Sequence, residues 1–251
     1  MEKQPCSYNG YEITEFDELD STNTYLTGLA KKSAPHGTTI IARRQTAGRG
    51  RQGRSFFSPE TTGLYLSTVY RKGISVENAL MLTPAVAVAV SKALESVSGQ
   101  KMGIKWVNDI FSCGKKVCGI LVESKLDFSS NCLEYAVIGI GINLFEPEGG
   151  FPEDIKNTAG ALFPHFFEEI RLKTILALLD SLKEILDSLP DCGFMEDYRK
   201  RSILIGHRVD VFRSNEVYNA EVIGIDDSAR LIVKSERGEE RIDSGEVRVR
   251  L

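Results

Sequence analysis

The sequence has little that would mark a covalent catalyst or a metal centre. Its three histidines, His36, His165 and His207, stand alone. Its five cysteines, Cys6, Cys113, Cys118, Cys132 and Cys192, are odd in number and form no Cys-x-x-Cys pair. Neither a disulfide framework nor a zinc site follows from them. Reduced thiols in a cytoplasm are the simplest expectation. There is no Ser-His-Asp set, nucleophile elbow or Walker A loop, so covalent catalysis through a side chain is not indicated. No apolar run approaches the length that crosses a bilayer. The N-terminal MEKQPCSYNG lacks the apolar region of a signal peptide. An excess of positive charge is missing too: the formal net charge is −4 and the pI about 5.6, whereas a general nucleic-acid binder is basic.

What is present suits an ordinary globular protein. The 251 residues are 42% hydrophobic and 26% charged, enough for one large domain with a small appendage. Against the acidic background one stretch stands out, RRQTAGRGRQGRSFFSP from Arg43 to Pro59. Gly48, Gly50 and Gly53 alternate with Arg49, Arg51 and Arg54. Each glycine costs a helix about 1 kcal/mol relative to alanine, and interior glycines weaken a strand ladder. The stretch is therefore predicted to be a mobile loop carrying guanidinium groups. Such a loop can close on a phosphorylated or carboxylated ligand, because arginines grip oxygens in forked pairs. An RGG-like patch that binds RNA loosely and a merely solvated loop are the alternatives.

The flanking pattern frames this loop. Tyr11 to Leu19 alternates and reads as a strand. Asp20-Ser21-Thr22-Asn23 then offers helix-capping side chains ahead of a helix from Thr24 to Lys32; the same short polar groups suit a small polar ligand. Thr38 to Arg44 is a buried strand and Leu64 to Arg71 another. Glu77 to Val97 reads as one buried helix, with Pro84 at a start or a kink. Gly114 marks a hairpin turn, so Val117 to Val122 is expected antiparallel to a strand carrying Trp106. Tyr135 to Leu144 is a further strand whose Gly139 and Gly141 allow close approach on one face. Phe166 to Leu189 is a long amphipathic helix, and Phe194 to Arg201 a shorter one.

From Leu204 the pattern changes to close-set short strands, with turns at Ser214-Asn215, Asp226-Asp227 and Arg237-Gly238, which suggests a small barrel. The boundary is placed near Ile203, giving domains 1–203 and 204–251. Within Lys105 to Gly119, Asn108-Asp109 could ligand Mg²⁺ through oxygens, or form an ordinary turn. Lys115-Lys116 could be solvated charge or the counter-ion of a phosphate or carboxylate. Trp106, the single tryptophan, reads as core.

Taken together these stretches resemble the biotin protein ligases. The resemblance is carried by DSTNTYL from Asp20, QTAGRGRQGRSFFSP from Gln45, KWVNDI from Lys105, KKVCGIL from Lys115 and GIGINL from Gly139. They occur in the family's order, and the family's run of strands and helices covers nearly the whole chain. The resemblance implies an α/β (α+β) fold: a mixed, largely antiparallel sheet backed by helices, of the class II synthetase-like biotin–lipoyl ligase type, with a C-terminal SH3-like barrel. It implies that biotin and ATP react with Mg²⁺ to give biotinyl-5′-AMP, and that a lysine of a biotin carboxyl carrier domain then takes the biotin. Carried over by position, Ser21, Thr22 and Gln45 hold biotin; Arg49, Gly50 and Arg51 close over it and the adenylate; and Lys116 binds the carboxylate and α-phosphate. Arg54, Asn108 and Asp109 serve ATP and its metal, Asp109 as metal ligand and candidate base. Asn143 serves the nucleotide side, Phe56 offers adenine an aromatic face, and Gly119 lets its strand pass close to biotin. Asn23, Gly48, Lys105 and Trp106 are further binding positions.

Three residues depart from the family pattern. Phe56 stands for a usual tryptophan, Val107 for a usual proline, and Cys118 for a small Gly or Ala, where it would crowd the biotin wall. No DNA-binding winged helix fits ahead of the first strand, so a ligase that is not a repressor is expected, cytoplasmic and without a membrane. Whether two copies form a homodimer is left open. A lipoate ligase shares the fold and the acyl-adenylate chemistry, but the Arg/Gly loop fits the biotin branch. A nucleotide- or RNA-binding module using that loop is the non-enzymatic alternative.

Overall fold

The computed structural model describes residues 2–189, 191–213, 216–243 and 246–249. A hairpin joins β1 (Cys6–Tyr8) to β2 (Tyr11–Leu19). Ser21 caps α1 (Thr22–Lys31), its hydroxyl accepting from the Thr24 N–H. The helix returns the chain to β3 (Thr38–Gln45), which runs parallel to β2 with Leu19 opposite Gln45. This crossover sets the two strand ends side by side, so the start of α1 and the start of the Arg/Gly loop emerge together. Such strand ends are where α/β sheets bind ligands. A short 3-10 turn at Arg51–Gly53 lies within that loop.

The chain re-enters the sheet at β4 (Gly63–Tyr70), every residue of which is buried. The stretch expected as one helix is two, α2 (Val76–Leu80) and α3 (Leu82–Ser98), parted at Met81. Pro84 falls in the first turn of α3, where its missing N–H costs nothing. Gly99 ends α3 in the left-handed region, φ 69°, as helix C-termini commonly do. Next come β5 (Gly103–Lys105), β6 (Asp109–Ser112), β7 (Lys115–Asp127) and β8 (Cys132–Asn143). Trp106 is not on a strand: it sits in the turn between β5 and β6, and β7 pairs with β6. Helices α4 (Glu168–Asp187) and α5 (Met195–Arg201) complete this part.

These strands form one eight-stranded sheet in the order β1-β2-β3-β4-β8-β7-β6-β5, antiparallel except for β2 with β3. Alternation sends successive side chains to opposite faces. One face packs on α3 and α4 through a large core that includes Leu64, Leu66, Ile138, Ile140 and Cys118. The other packs on α1 through Leu26, Ala30, Val69 and Val137. The α1 helix covers only part of its face, and the uncovered part carries the candidate site.

The C-terminal strands β9 (Arg208–Arg213), β10 (Glu216–Ile225), β11 (Leu231–Ser235), β12 (Gly238–Ile242) and β13 (Glu246–Val249) form a five-stranded antiparallel sheet. Its order is β12-β11-β10-β9-β13. The turn expected at Ser214-Asn215 lies outside the described residues. The β10–β11 turn docks on the larger sheet: the Trp106 indole N–H donates to the Ala229 carbonyl at 2.8 Å. Arg199 of α5 donates to the Ile225 carbonyl at 2.8 Å.

Candidate active site

The uncovered face holds a cleft whose floor is made by absent side chains. The register aligns Asp109 of β6, Gly119 of β7, Gly141 of β8 and Tyr65 of β4 in one row. The next row of the same face holds Leu121, Gly139 and Ser67. The ring of Phe56, from the Arg/Gly loop, lies over the first row. A Cβ on Gly119 would meet it at 3.3 Å, and its edge packs on Tyr65 with centroids 6.4 Å apart. The ring is thus seated on the sheet floor and lines the cleft. Gly119 opens space that Phe56 and the Lys116 side chain use.

At one wall Thr22, Asn23 and Gln45 interlock. The Gln45 side-chain oxygen accepts from the Thr22 N–H at 2.9 Å and from its hydroxyl at 3.1 Å. The Gln45 amide nitrogen donates to Ser58 at 2.9 Å, and Ser67 donates to the Thr22 hydroxyl at 2.8 Å. The side chain of Asn23, 4% exposed, is taken up by Ser67, Leu121 and Glu123. It braces the wall that it helps to line.

The opposite wall is cationic. Lys116 pairs with Asp109 at 2.7 Å, and the Lys116 backbone is held by Thr158 and Gly160. Arg51 donates to the Asn108 side-chain oxygen at 3.1 Å, while Asn108 donates to the Ile120 carbonyl at 2.9 Å. Arg49, Arg51, Arg54, Lys105 and Lys116 line the cleft against one lining carboxylate, Asp109. On a body of net charge −4, this is a local anion trap. The loop itself is folded: Arg49 bridges Ser55, and the Gly50 N–H donates to the Arg54 carbonyl at 2.7 Å.

The structure therefore brings Ser21, Thr22, Asn23, Gln45, Arg49, Gly50, Arg51, Arg54, Phe56, Lys105, Trp106, Asn108, Asp109, Lys116 and Gly119 to one cleft. Two expected residues lie outside its lining. Gly48 sits under the loop, where a Cβ would stand 2.4 Å from the Phe56 carbonyl oxygen. Asn143 donates to the Gly160 carbonyl at 3.2 Å at the end of β8. The expectation for Cys118 is also corrected. The residue faces the helical layer, fully buried in the core, and crowds no cleft wall; burial pushes its thiol pKa up. Sequence reasoning missed Gln52, Ser55, Ile120, Leu121 and Ile140 as lining, and none of these carried a signal; Gly139 and Gly141, read as allowing close approach, do line the cleft.

Among the described residues, no group of three or more His, Cys, Asp or Glu side chains could hold a metal. Mg²⁺ is commonly held by one or two carboxylates plus substrate phosphates. Asp109 with the Asn108 oxygen fits such a phosphate-borne ion and does not fit a resident metal cage.

The sequence matches the biotin/lipoate A/B protein ligase family over residues 15–143. Residues 204–250 match the biotin protein ligase C-terminal domain. The chain is 31% identical over 242 residues to a bifunctional ligase/repressor of Bacillus subtilis, spanning 95% of this chain and 74% of that one. It is 31% identical over 226 residues to a biotin–acetyl-CoA-carboxylase ligase of Mycobacterium tuberculosis, spanning 85% and 80%. The structure of the Aquifex aeolicus biotin protein ligase in complex with biotin and ATP aligns with a TM-score of 0.73 at 27% identity, covering 95% of this chain and 98% of that one. No helix among the described residues is long and apolar enough to cross a membrane.

Proposed function

The chain belongs to the biotin protein ligase family, and we propose that its cleft forms biotinyl-5′-AMP and passes biotin to one lysine of a biotin carboxyl carrier domain. The observation that carries this reading is the meeting, in one cleft, of a neutral hydrogen-bonding wall and a cationic one across a glycine floor. Ser21, Thr22 and Gln45 suit the polar head of biotin. Phe56 and the glycine floor suit its apolar body. Lys116 and the loop arginines suit its carboxylate and the nucleotide phosphates.

The chemistry follows from charge. A biotin carboxylate oxygen attacks the α-phosphorus, the bond to the β-phosphate oxygen breaks, and pyrophosphate leaves with that electron pair. Two anions must meet, so fixed cations both gather them and stabilise the charge that builds between them. Lys116, paired with Asp109, suits this role. In the second step the carrier lysine amine attacks the acyl carbon, loses a proton and expels AMP. Asp109 is the candidate acceptor of that proton. Bound with the nucleotide and held by Asp109 and Asn108, Mg²⁺ would neutralise phosphate charge. Between the steps the mixed anhydride must be kept from water, which the Arg/Gly loop does by covering the cleft.

The test is mass spectrometry of a biotin carrier domain incubated with this protein, ATP, Mg²⁺ and either biotin or lipoate. The expected result is an ATP-dependent biotinyl gain on one lysine. A lipoyl gain alone would keep the mechanism and overturn the pocket assignment. No gain with either, from folded protein, would return the Arg/Gly loop to a binding role.

A further inference from the structure

Glu123 lies on β7, outside the lining of the cleft, yet it joins two of the cleft's walls. Its carboxylate accepts two parallel bonds from the Arg49 guanidinium, at 3.0 and 2.8 Å. The same group accepts from the Asn23 amide at 3.1 Å. Asn23 cannot yield: its oxygen accepts from Ser67 at 2.6 Å, and a Cβ on Gly139 would stand 2.0 Å from that oxygen. Asn23 is thus pressed flat on the sheet between β4 and β7, and it holds one Glu123 oxygen in place.

The loop needs such a fixture. Its glycines carry a large ordering entropy, its internal bonds, such as Gly50 to Arg54 and Phe56 to Gly48, only shape it, and its other ties to the sheet, Phe56 on the glycine floor and Arg51 on Asn108, lie away from the Asn23 wall. Isolated surface ion pairs contribute little because both side chains must be ordered. Here the carboxylate is already ordered by Asn23, and the arginine bonds in forked geometry. We propose that Glu123 is a positioning residue for the ligase reaction: it latches Arg49, and with it the Arg/Gly loop, over the cleft. It thereby couples loop closure to the α1 end that carries Ser21 and Thr22. Part of the loop's ordering cost is then met before substrate arrives, which favours biotin binding and adenylate retention over the intrinsic rate of the chemical step. This role rests on the function proposed above; the latch itself does not.

Two readouts separate those claims. In the ligand-free protein, trypsin cuts after loop arginines only when the loop opens. Glu123→Gln should speed cleavage after Arg51 and Arg54 about fivefold at an unchanged melting temperature, as expected for loss of one forked ion pair. In steady state it should raise the biotin KM by a similar factor and leave kcat for pyrophosphate release within about twofold. In an Arg49→Gln background the same change should alter KM by less than about twofold, because the partner is already gone. Glu123→Asp, which keeps the charge but shortens the reach, should fall between. If Glu123→Gln melts lower, Glu123→Asp decides by the same readouts. Equal cleavage rates, or a KM effect that persists in full without Arg49, would overturn the latch. If the wild-type protein shows no biotin-dependent turnover, the ligase reading fails while the cleavage result still stands.

Discussion

A Cβ added to Gly141 would stand 2.6 Å from Cε1 of Phe56. The loop's aromatic ring and the middle of β8 therefore share a volume that only glycine leaves free. Gly141 faces Gly119 across the β7–β8 pair, so the ring lies in a trough two strands wide. Closure of the Arg/Gly loop is thus a docking of Phe56 into the sheet as well as an attraction of arginines to anions.

Gly141→Ala should expel the ring from this trough. Overpacking at a fitted site costs about 1–3 kcal/mol, and a loop-borne ring can retreat, so the stability loss should sit at the low end. The larger effect should be on biotin affinity, read by isothermal titration. In a Phe56→Ala background Gly141→Ala should cost nothing more in either quantity. A full second penalty there would mean the two residues are not competing for one space.

Lys116→Ala should abolish adenylate formation. Lys116 is the cation that Asp109 holds, at 2.7 Å with side chains 34% and 24% exposed, and a pair this accessible adds less than about 1 kcal/mol of stability. Removing a preorganised charge from the centre of reaction costs about 10²–10³ in rate. Biotin-dependent pyrophosphate release should therefore fall by that factor while the melting temperature holds. Normal release would remove Lys116 from the chemistry.

Much of this site was legible because its parts are sequence-local. The Arg/Gly loop betrays itself by spacing, and Ser21-Thr22-Asn23 by capping chemistry. Their meeting was not legible, since it depends on the parallel register that sets Leu19 opposite Gln45. Face assignment failed at Cys118 for a related reason. One residue along a strand reverses the side, and Cys118 shares its face with the helical core while Gly119 opens to the cleft. Trp106 reads as core, and is buried, but its apolar neighbours suggest a strand; its position in a turn lets the indole reach Ala229 in the C-terminal sheet. Asn143 and Asn23 resemble ligand-binding residues by type, yet neighbouring polar groups engage both side chains. Pairings of that kind between distant segments leave no local pattern.

Arg51→Gly should loosen the lid on the other side. Arg51 holds Asn108 at 3.1 Å, and Asn108 is anchored to β7 through the Ile120 carbonyl. Glycine removes this tie and adds backbone freedom worth about 1 kcal/mol. The adenylate should then escape about fivefold to tenfold faster, a range that combines one lost charge-assisted bond with that entropy. Escape is read as biotin on bystander lysines in a mixture of unrelated proteins. Unchanged bystander labelling would mean that the loop does not act as a lid.

Away from the cleft, Glu15 of β2 and Arg171 of α4 fasten the helical layer to the sheet. Arg171 is 2% exposed and donates to Glu15 at 2.6 Å, with a second bond to Glu168 at 3.2 Å. Burial, the largest influence, pushes the Glu15 carboxyl pKa up, but the Lys3 hydrogen bond and the Arg171 and Arg43 charges together bring it below the usual range. Its folded pKa is thus lower than its unfolded one. The contribution to stability is complete above the ordinary glutamate range, about 4.3, and is lost as pH falls through the lowered value. Glu15→Gln should cost about 3 kcal/mol at neutral pH, the low end for stripping one partner from a buried charge, because Glu168 still faces Arg171. Urea unfolding of both proteins should show that gap narrowing as the pH drops below the ordinary glutamate range. A gap of constant size from neutral to acid pH would mean that the Glu15 charge is not what holds Arg171 in place.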